Sequence, residues 1–147
     1  RRVLFRSTEY NVVECGMQTP KLKEQDFIGR AAHEKHRAEK PVTTLYTLYV
    51  DDHTSKSGVK RYMMGKEPIL TTDGQTITDA HGRRSYVTSA GSAPSLGKHI
   101  LMAFIPTDMA VIGNKFLVEY LGEQYPCHIA GVGITPMFDP NNERILG

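Results

Sequence analysis

Several groups of side chains have the types and spacing to do chemistry. Asp51-Asp52-His53 places two carboxylates beside an imidazole, a set that could share a proton transfer. Aspartates at such a position also build turns, and a turn is the expectation here. His33-Glu34-Lys35-His36 puts two imidazoles three residues apart, near enough on one helix face to ligate a metal. The zinc-protease pattern needs them four apart and no third ligand is suggested, so a solvated helix face is expected. Cys127 and His128 are neighbours in a strand-like stretch, so their side chains point to opposite faces and cannot act as a nucleophile–base pair. Cys127 shares the Tyr125/Ile129 face and reads as a small core residue. Cys15 has no diagnosable partner.

Two further patterns fall short. Gly91 to Lys98 carries the glycines and lysine of a phosphate cradle, but five residues separate Gly91 from Gly97, and His99 follows Lys98 where Ser or Thr is required. A tight connection between strands explains these glycines better. Arg83-Arg84 with Lys60-Arg61 could form a basic patch, yet exposed aromatics are not interleaved and the formal charge is only +2. Nucleic-acid binding is therefore not expected. No catalytic residue and no metal ligand is assigned to the chain.

The elements that would position these groups follow from the pattern. The 147 residues, 39% hydrophobic and 23% charged, suit one globular domain rather than a disordered segment. The longest apolar run, Ile100 to Pro106, is far short of the roughly 20 residues of a membrane span. Two cysteines make no disulfide framework, so the cytosol is the expected compartment. A helix is expected over about 26–38. Asp26 would be its N-cap, Phe27, Ile28, Ala31 and Ala32 its apolar stripe, and Pro41 its stop. Val42 to Val50 then reads as a strand, and short strands separated by turns at Asp73-Gly74, His81-Gly82, Gly113-Asn114 and Gly122-Glu123 follow it. His99 to Ile105 is apolar on both faces and reads as a buried strand. Pro126 favours an edge or a bulge. The fold class is mainly β: a compact antiparallel β-barrel preceded by one α-helix.

The order of several blocks is more specific than any one. Glu14-Cys15-Gly16-Met17 resembles an E-A-G-L/I motif. Lys23 to Arg30 resembles K-x-D-F-I-G-K/R, and Val87-Thr88-Ser89-Ala90-Gly91 resembles a v-T-S-g-g stretch. Pro94 to Ile100 resembles P-S-L-G-K-x-I, Gly113 to Glu119 resembles G-x-x-L-x-V-E, and Pro136 to Arg144 resembles P-F-Y/F-D-P…R. In this order they resemble the C-terminal part of the aminomethyltransferase (glycine-cleavage T-protein) family over residues 9–147. The chain departs from it at Val12, where the family often has Arg, and in its short stretch between Gly16 and Lys23. The turns Asp51–Ser55, Lys60–Met63 and Gly82–Tyr86 look most similar to tetrahydrofolate-dependent vanillate and syringate O-demethylases.

The resemblance implies residues 8–40 as the end of a folate-binding region and 41–147 as a C-terminal barrel that closes one side of the folate site. It implies a partner domain N-terminal to this one, and tetrahydrofolate bound mainly there. The implied substrate is a methoxylated aromatic acid derived from lignin. Its methyl carbon would be attacked by folate N5, and protonation of the departing phenoxide would lower the barrier. Arg144 matches a family position that can approach the folate, where a guanidinium could recognise a carboxylate. Two enzymatic alternatives carry the same barrel: a glycine-cleavage aminomethyltransferase and the C-terminal domain of a dimethylglycine- or sarcosine-oxidising enzyme. A non-catalytic interaction module is a third.

The first seven residues stand apart. Arg1-Arg2-Val3-Leu4-Phe5-Arg6-Ser7 resembles a translated sequencing-library adapter and is expected to be an artefact, with the rest a fragment of a longer enzyme. Three of the 18 basic residues and none of the 16 acids lie in it, so without it the charge of +2 becomes −1.

Overall fold

Pro41 ends the helical stretch, and the β-branched and aromatic run behind it forms the strand on which the rest is assembled. The computed structural model describes residues 9–17, 25–133 and 135–146. The expected artefact at 1–7 lies outside the described residues. Helix α1 spans Arg30–Ala38, followed by β1 (Thr43–Val50), β2 (Ile69–Leu70), β3 (Val87–Ala93), β4 (Lys98–Pro106), β5 (Lys115–Tyr120), β6 (Glu123–Val132) and a short α2 (Glu143–Leu146). The strands form one antiparallel sheet in the order β2-β5-β6-β1-β4-β3. The fold is thus the expected mainly β, barrel-type architecture, a half-barrel of six strands behind one helix. Among the described residues no helix is long and apolar enough to cross a membrane.

The two ends of the sheet curl towards each other. The Ile69 N–H donates to Ser85 O (3.1 Å) and the Val87 N–H to Glu67 O (2.8 Å), so the stretch around β2 also bonds the run into β3. The interior is filled by Leu48, Ile69, Val87, Leu101, Ile105, Val118 and Ile129, all at 0% exposure. Each large aliphatic contributes about 1.5–3 kcal/mol by leaving water. Cys127 joins them as expected, between Tyr125 and Ile129, and burial pushes its thiol up to about 12, with Asp51 adding to the effect. β4 is buried on both faces only from Ala103 to Pro106 and alternates before that.

Two expectations need correction. The helix starts at Arg30, four residues later than Asp26. Gly29 adopts φ 90°, a conformation outside the helix, and the Asp26 carboxylate accepts the adjacent Phe27 N–H (3.0 Å), its one hydrogen bond among the described residues. None of α1 is buried, and Ile28 is fully exposed, so the Phe27/Ile28/Ala31/Ala32 stripe does not pack on the barrel. The helix is supported instead by pairs four residues apart, Arg30–Glu34 at 2.8 Å and Lys35–Glu39 at 3.9 Å. Pro126 does not lie at an edge, because β6 runs between β5 and β1. Its carbonyl accepts the Asp51 N–H, so its ring nitrogen faces the same side, just past the last paired residues Val50 and Cys127. There the β1–β6 ladder ends at the exposed Asp51, so a missing donor costs little.

β5 and β6 are joined by Leu121-Gly122, with φ 52° and 75°. Two positive values mark the type I′ hairpin that suits strand twist, but its first position favours Asn, Asp or Gly. An exposed leucine there is strained by about 1 kcal/mol. Leu121→Asn is expected to raise unfolding stability by about 0.5–1 kcal/mol in urea titration. An unchanged or lower midpoint would contradict this reading of the turn.

Candidate functional site

Residues 9–17 meet the barrel around one guanidinium. Asn11 and Glu14 form a reciprocal cap: Asn11 Oδ1 accepts the Val13 (2.9 Å) and Glu14 (3.0 Å) N–H groups, while Glu14 Oε2 accepts the Asn11 N–H at 2.9 Å. The same Glu14 carboxylate receives Arg83 Nη2 at 2.6 Å. Arg83 Nε donates to Asp79 Oδ2 at 2.8 Å, and Nη1 donates to Glu9 O. The guanidinium also lies 4.4 Å from the centroid of the Tyr10 ring, which stacks on Phe104 at 3.6 Å. Burial, with Tyr86 beside it, pushes the Tyr10 hydroxyl up to about 12. The Leu45 N–H bonds Glu14 O (2.8 Å) and the Gly133 N–H bonds Leu45 O (2.7 Å). Gly133, at φ 52°, would bring an added Cβ within 3.4 Å of Gly16 Cα. The Glu14–Gly16 stretch is therefore seated against the ends of β1 and β6.

The C-terminal segment folds back on the same strand. Met137 covers Gly131, where an added Cβ would meet its sulfur at 2.6 Å. The Arg144 N–H donates to Asp139 Oδ2 (3.1 Å), and the Arg144 guanidinium sits 5.2 Å from the centroid of the Phe138 ring. Arg144 is exposed, and among the described residues no carboxylate forms an ion pair with it. A planar cation placed this way can accept a carboxylate in bidentate fashion.

The other candidates are placed as follows. Asp51, Asp52 and His53 diverge: Asp51 pairs with His128 Nδ1 at 2.6 Å, Asp52 accepts the Thr54 N–H at 2.8 Å, and His53 turns towards Tyr62. Cys127 and His128 face opposite ways, the first into the core and the second to Asp51. Among the described residues no group of three or more His, Cys, Asp and Glu side chains is placed to hold a metal ion, and His33 and His36 are not brought together with a third ligand. Gly91 to Lys98 runs from the end of β3 to the first residue of β4, the two strands joined by a single 3-10 turn over Pro94–Leu96 closed by Gly97 at φ 62°. The basic residues are divided. Arg83 lies between acids, Lys60 borders a cleft with His53, and Arg84 borders another with Glu119. The Asn11-x-x-Glu14 cap could have been read from its spacing. The role of Arg83 could not, because Glu14 lies 69 residues away.

This clamp makes stability depend on acid. Burial alone would raise the Asp79 carboxyl, but hydrogen bonds from Arg83 and His81, with the Arg83 charge, outweigh it and hold Asp79 below its usual range. A depressed carboxyl contributes stability that is complete above its unfolded value of about 4 and is lost as pH falls through the folded value. Asp79→Asn should lower stability at pH 7 by about 1–3 kcal/mol and flatten the loss below about pH 4, as read by urea unfolding across pH. An unchanged acid slope would contradict this.

Residues 54–139 match the family model described as glycine cleavage T-protein C-terminal barrel domain. The aminomethyltransferase of Koribacter versatilis is 32% identical over 118 residues, which cover 77% of this chain and 26% of that protein. That of Acidobacterium capsulatum is 35% identical over 69 residues, 44% of this chain and 18% of that protein. The crystal structure of glycine cleavage system aminomethyltransferase T from Bartonella henselae aligns with a TM-score of 0.54 at 17% identity, over 70% of this chain and 25% of that one, a likeness of fold. The chain spans about a quarter of the length of the first of these relatives. The family-model match ends at Asp139, short of Arg144. With the six-stranded antiparallel sheet, the match over most of the barrel establishes that the chain belongs to the glycine cleavage T-protein C-terminal barrel domain family.

Proposed function

We propose that this chain is the C-terminal barrel of a tetrahydrofolate-dependent one-carbon transferase, with residues 8–40 the end of the folate-binding region and 41–147 the barrel that closes one side of the folate site. The observation that carries this reading is the family match over residues 54–139. Tetrahydrofolate would supply the nucleophilic nitrogen that accepts the one-carbon unit. Its acidic tail fits what Arg144 offers, an exposed guanidinium beside an aromatic ring. The barrel's own contribution is to orient that tail and exclude water. Orientation of two substrates is a large part of such a barrier.

For the donor we propose the methyl ether of a lignin-derived methoxybenzoate, vanillate or syringate. The support is the likeness of the turns at Asp51–Ser55, Lys60–Met63 and Gly82–Tyr86 to O-demethylases of that kind. A second reading, transfer of an aminomethyl group in glycine cleavage, is favoured by the relatives, which carry the name aminomethyltransferase. A cytosolic setting suits either.

The test uses the full-length enzyme that contains this chain. With tetrahydrofolate and vanillate or syringate it should yield the free phenol and methyl-tetrahydrofolate, and the 147-residue chain alone should give no turnover. Arg144→Ala should raise the KM for tetrahydrofolate about fivefold or more, with kcat little changed. Turnover with an aminomethyl donor and none with the aryl ethers would select the second reading. An unaltered KM would remove Arg144 from the folate site.

A further inference from the structure

The turn after β1 and the start of β4 bring together two imidazoles that the proposed reaction does not use. His53 and His99 have ring centroids 5.6 Å apart, and Tyr62 lies edge-on to both at 4.8 and 5.4 Å. His99 is only 4% exposed. Its Nε2 accepts the Met63 N–H at 3.1 Å, yet its Nδ1 and that of His53 are buried with no hydrogen-bond partner among the described residues. Both rings line a cleft of about 450 Å³ that Lys60 and Lys98 also border.

The tautomer of His99 decides what this cleft can take. A ring that accepts at Nε2 carries no proton there, so neutral His99 holds its proton on Nδ1 and is a buried donor without an acceptor. Burial and the adjacent His53 push His99 down, which keeps it neutral near pH 7. Leaving such a donor unmet is unfavourable, because it loses its bond to water and gains none in the fold. A metal at Nδ1 would need a lone pair on both nitrogens, an imidazolate, so the geometry disfavours a cation. The two acids on the cleft do not meet the need: Asp51 is held by His128 at 2.6 Å, and Asp52 accepts the Thr54 N–H. What remains is a buried donor in need of an acceptor, with two ammonium groups at the rim.

We propose that this cleft binds the oxyanion group of a small ligand, a carboxylate or a phosphate, the imidazoles turning on binding so that the His99 Nδ1–H, closed off from solvent in this conformation, becomes its donor, with His53 as a second contact and Lys60 and Lys98 as its charge partners. The site does not resemble the Gly-rich phosphate cradle, because Lys98 enters through the Gly97 turn and no helix follows. It stands independently of the folate reading.

The experiment uses the full-length protein with 15N-labelled histidine. Inorganic phosphate and acetate are titrated separately, each against sodium chloride of equal ionic strength. The expected result is a saturable shift of the His99 Nδ1–H signal, accompanied by His53. The anion that saturates first tells phosphate from carboxylate chemistry. Because Lys60 and Lys98 are exposed, K60A/K98A should leave the ligand-free imidazole signals in place while weakening the anion about fivefold or more. No saturable shift with either anion would overturn the proposal, as would equal affinity in the double variant. So would a His99 proton exchanging only with a buried water, indifferent to both anions.

Discussion

Arg83 is a cation held almost out of water, at 15% side-chain exposure, and its position is tolerable because two carboxylates and a backbone carbonyl surround it. Glu14 and Asp79 are more buried still, at 5% and 2%. Burying one such charge alone would cost several kcal/mol, so the group is stable only as a set. The seating of residues 9–17 depends on it. Asn11 and Glu14 cap their own turn, Glu14 reaches Arg83, and Arg83 stacks on Tyr10, which stacks on Phe104 of β4. A segment with few buried apolar residues of its own is thereby ordered on the barrel.

The barrel supplies the other half of that arrangement. β1 lies between β4 and β6, and its first residues receive the Glu14–Gly16 stretch through Leu45. The run from Asp79 to Val87, which carries Arg83, is bonded at its far end to the stretch around β2. The clamp is therefore fixed to both ends of the sheet, and the C-terminal segment with Arg144 returns to β6 beside it through Met137 and Gly131. The cleft of His53 and His99 is built from different turns, those after β1 and before β4, so two separate sets of polar residues are held by one core.

Local signals are legible where a single residue or a short period decides. The β-branched and aromatic run behind Pro41 forms the expected strand, and it begins at Thr43, one residue inside the expected start at Val42. The opposed faces of Cys127 and His128 follow from the period of two, and Gly74 and Gly122 mark their turns. The helix start is not legible, because Gly29 at φ 90° breaks a pattern that Phe27 and Ile28 continue on paper. Pro126 points to an edge or a bulge because nothing in its neighbourhood shows that β6 pairs with β1 and that this pairing ends at Val50 and Cys127. The clamp and the imidazole pair depend on partners far along the chain, 69 residues for Arg83 with Glu14 and 36 for Met63 with His99. No spacing rule reaches that far. The family blocks, taken in order, carry the architecture that no single motif does.

A double-mutant cycle on Arg83→Gln and Glu14→Gln, read by urea unfolding of the 147-residue chain, measures the interaction on which this arrangement depends. A coupling energy of about 2 kcal/mol or more is predicted, because Arg83→Gln leaves the buried Glu14 without its cation and Glu14→Gln leaves Arg83 with Asp79 as its one remaining carboxylate among the described residues. Additive effects, with a coupling near zero, would contradict the role given to the clamp.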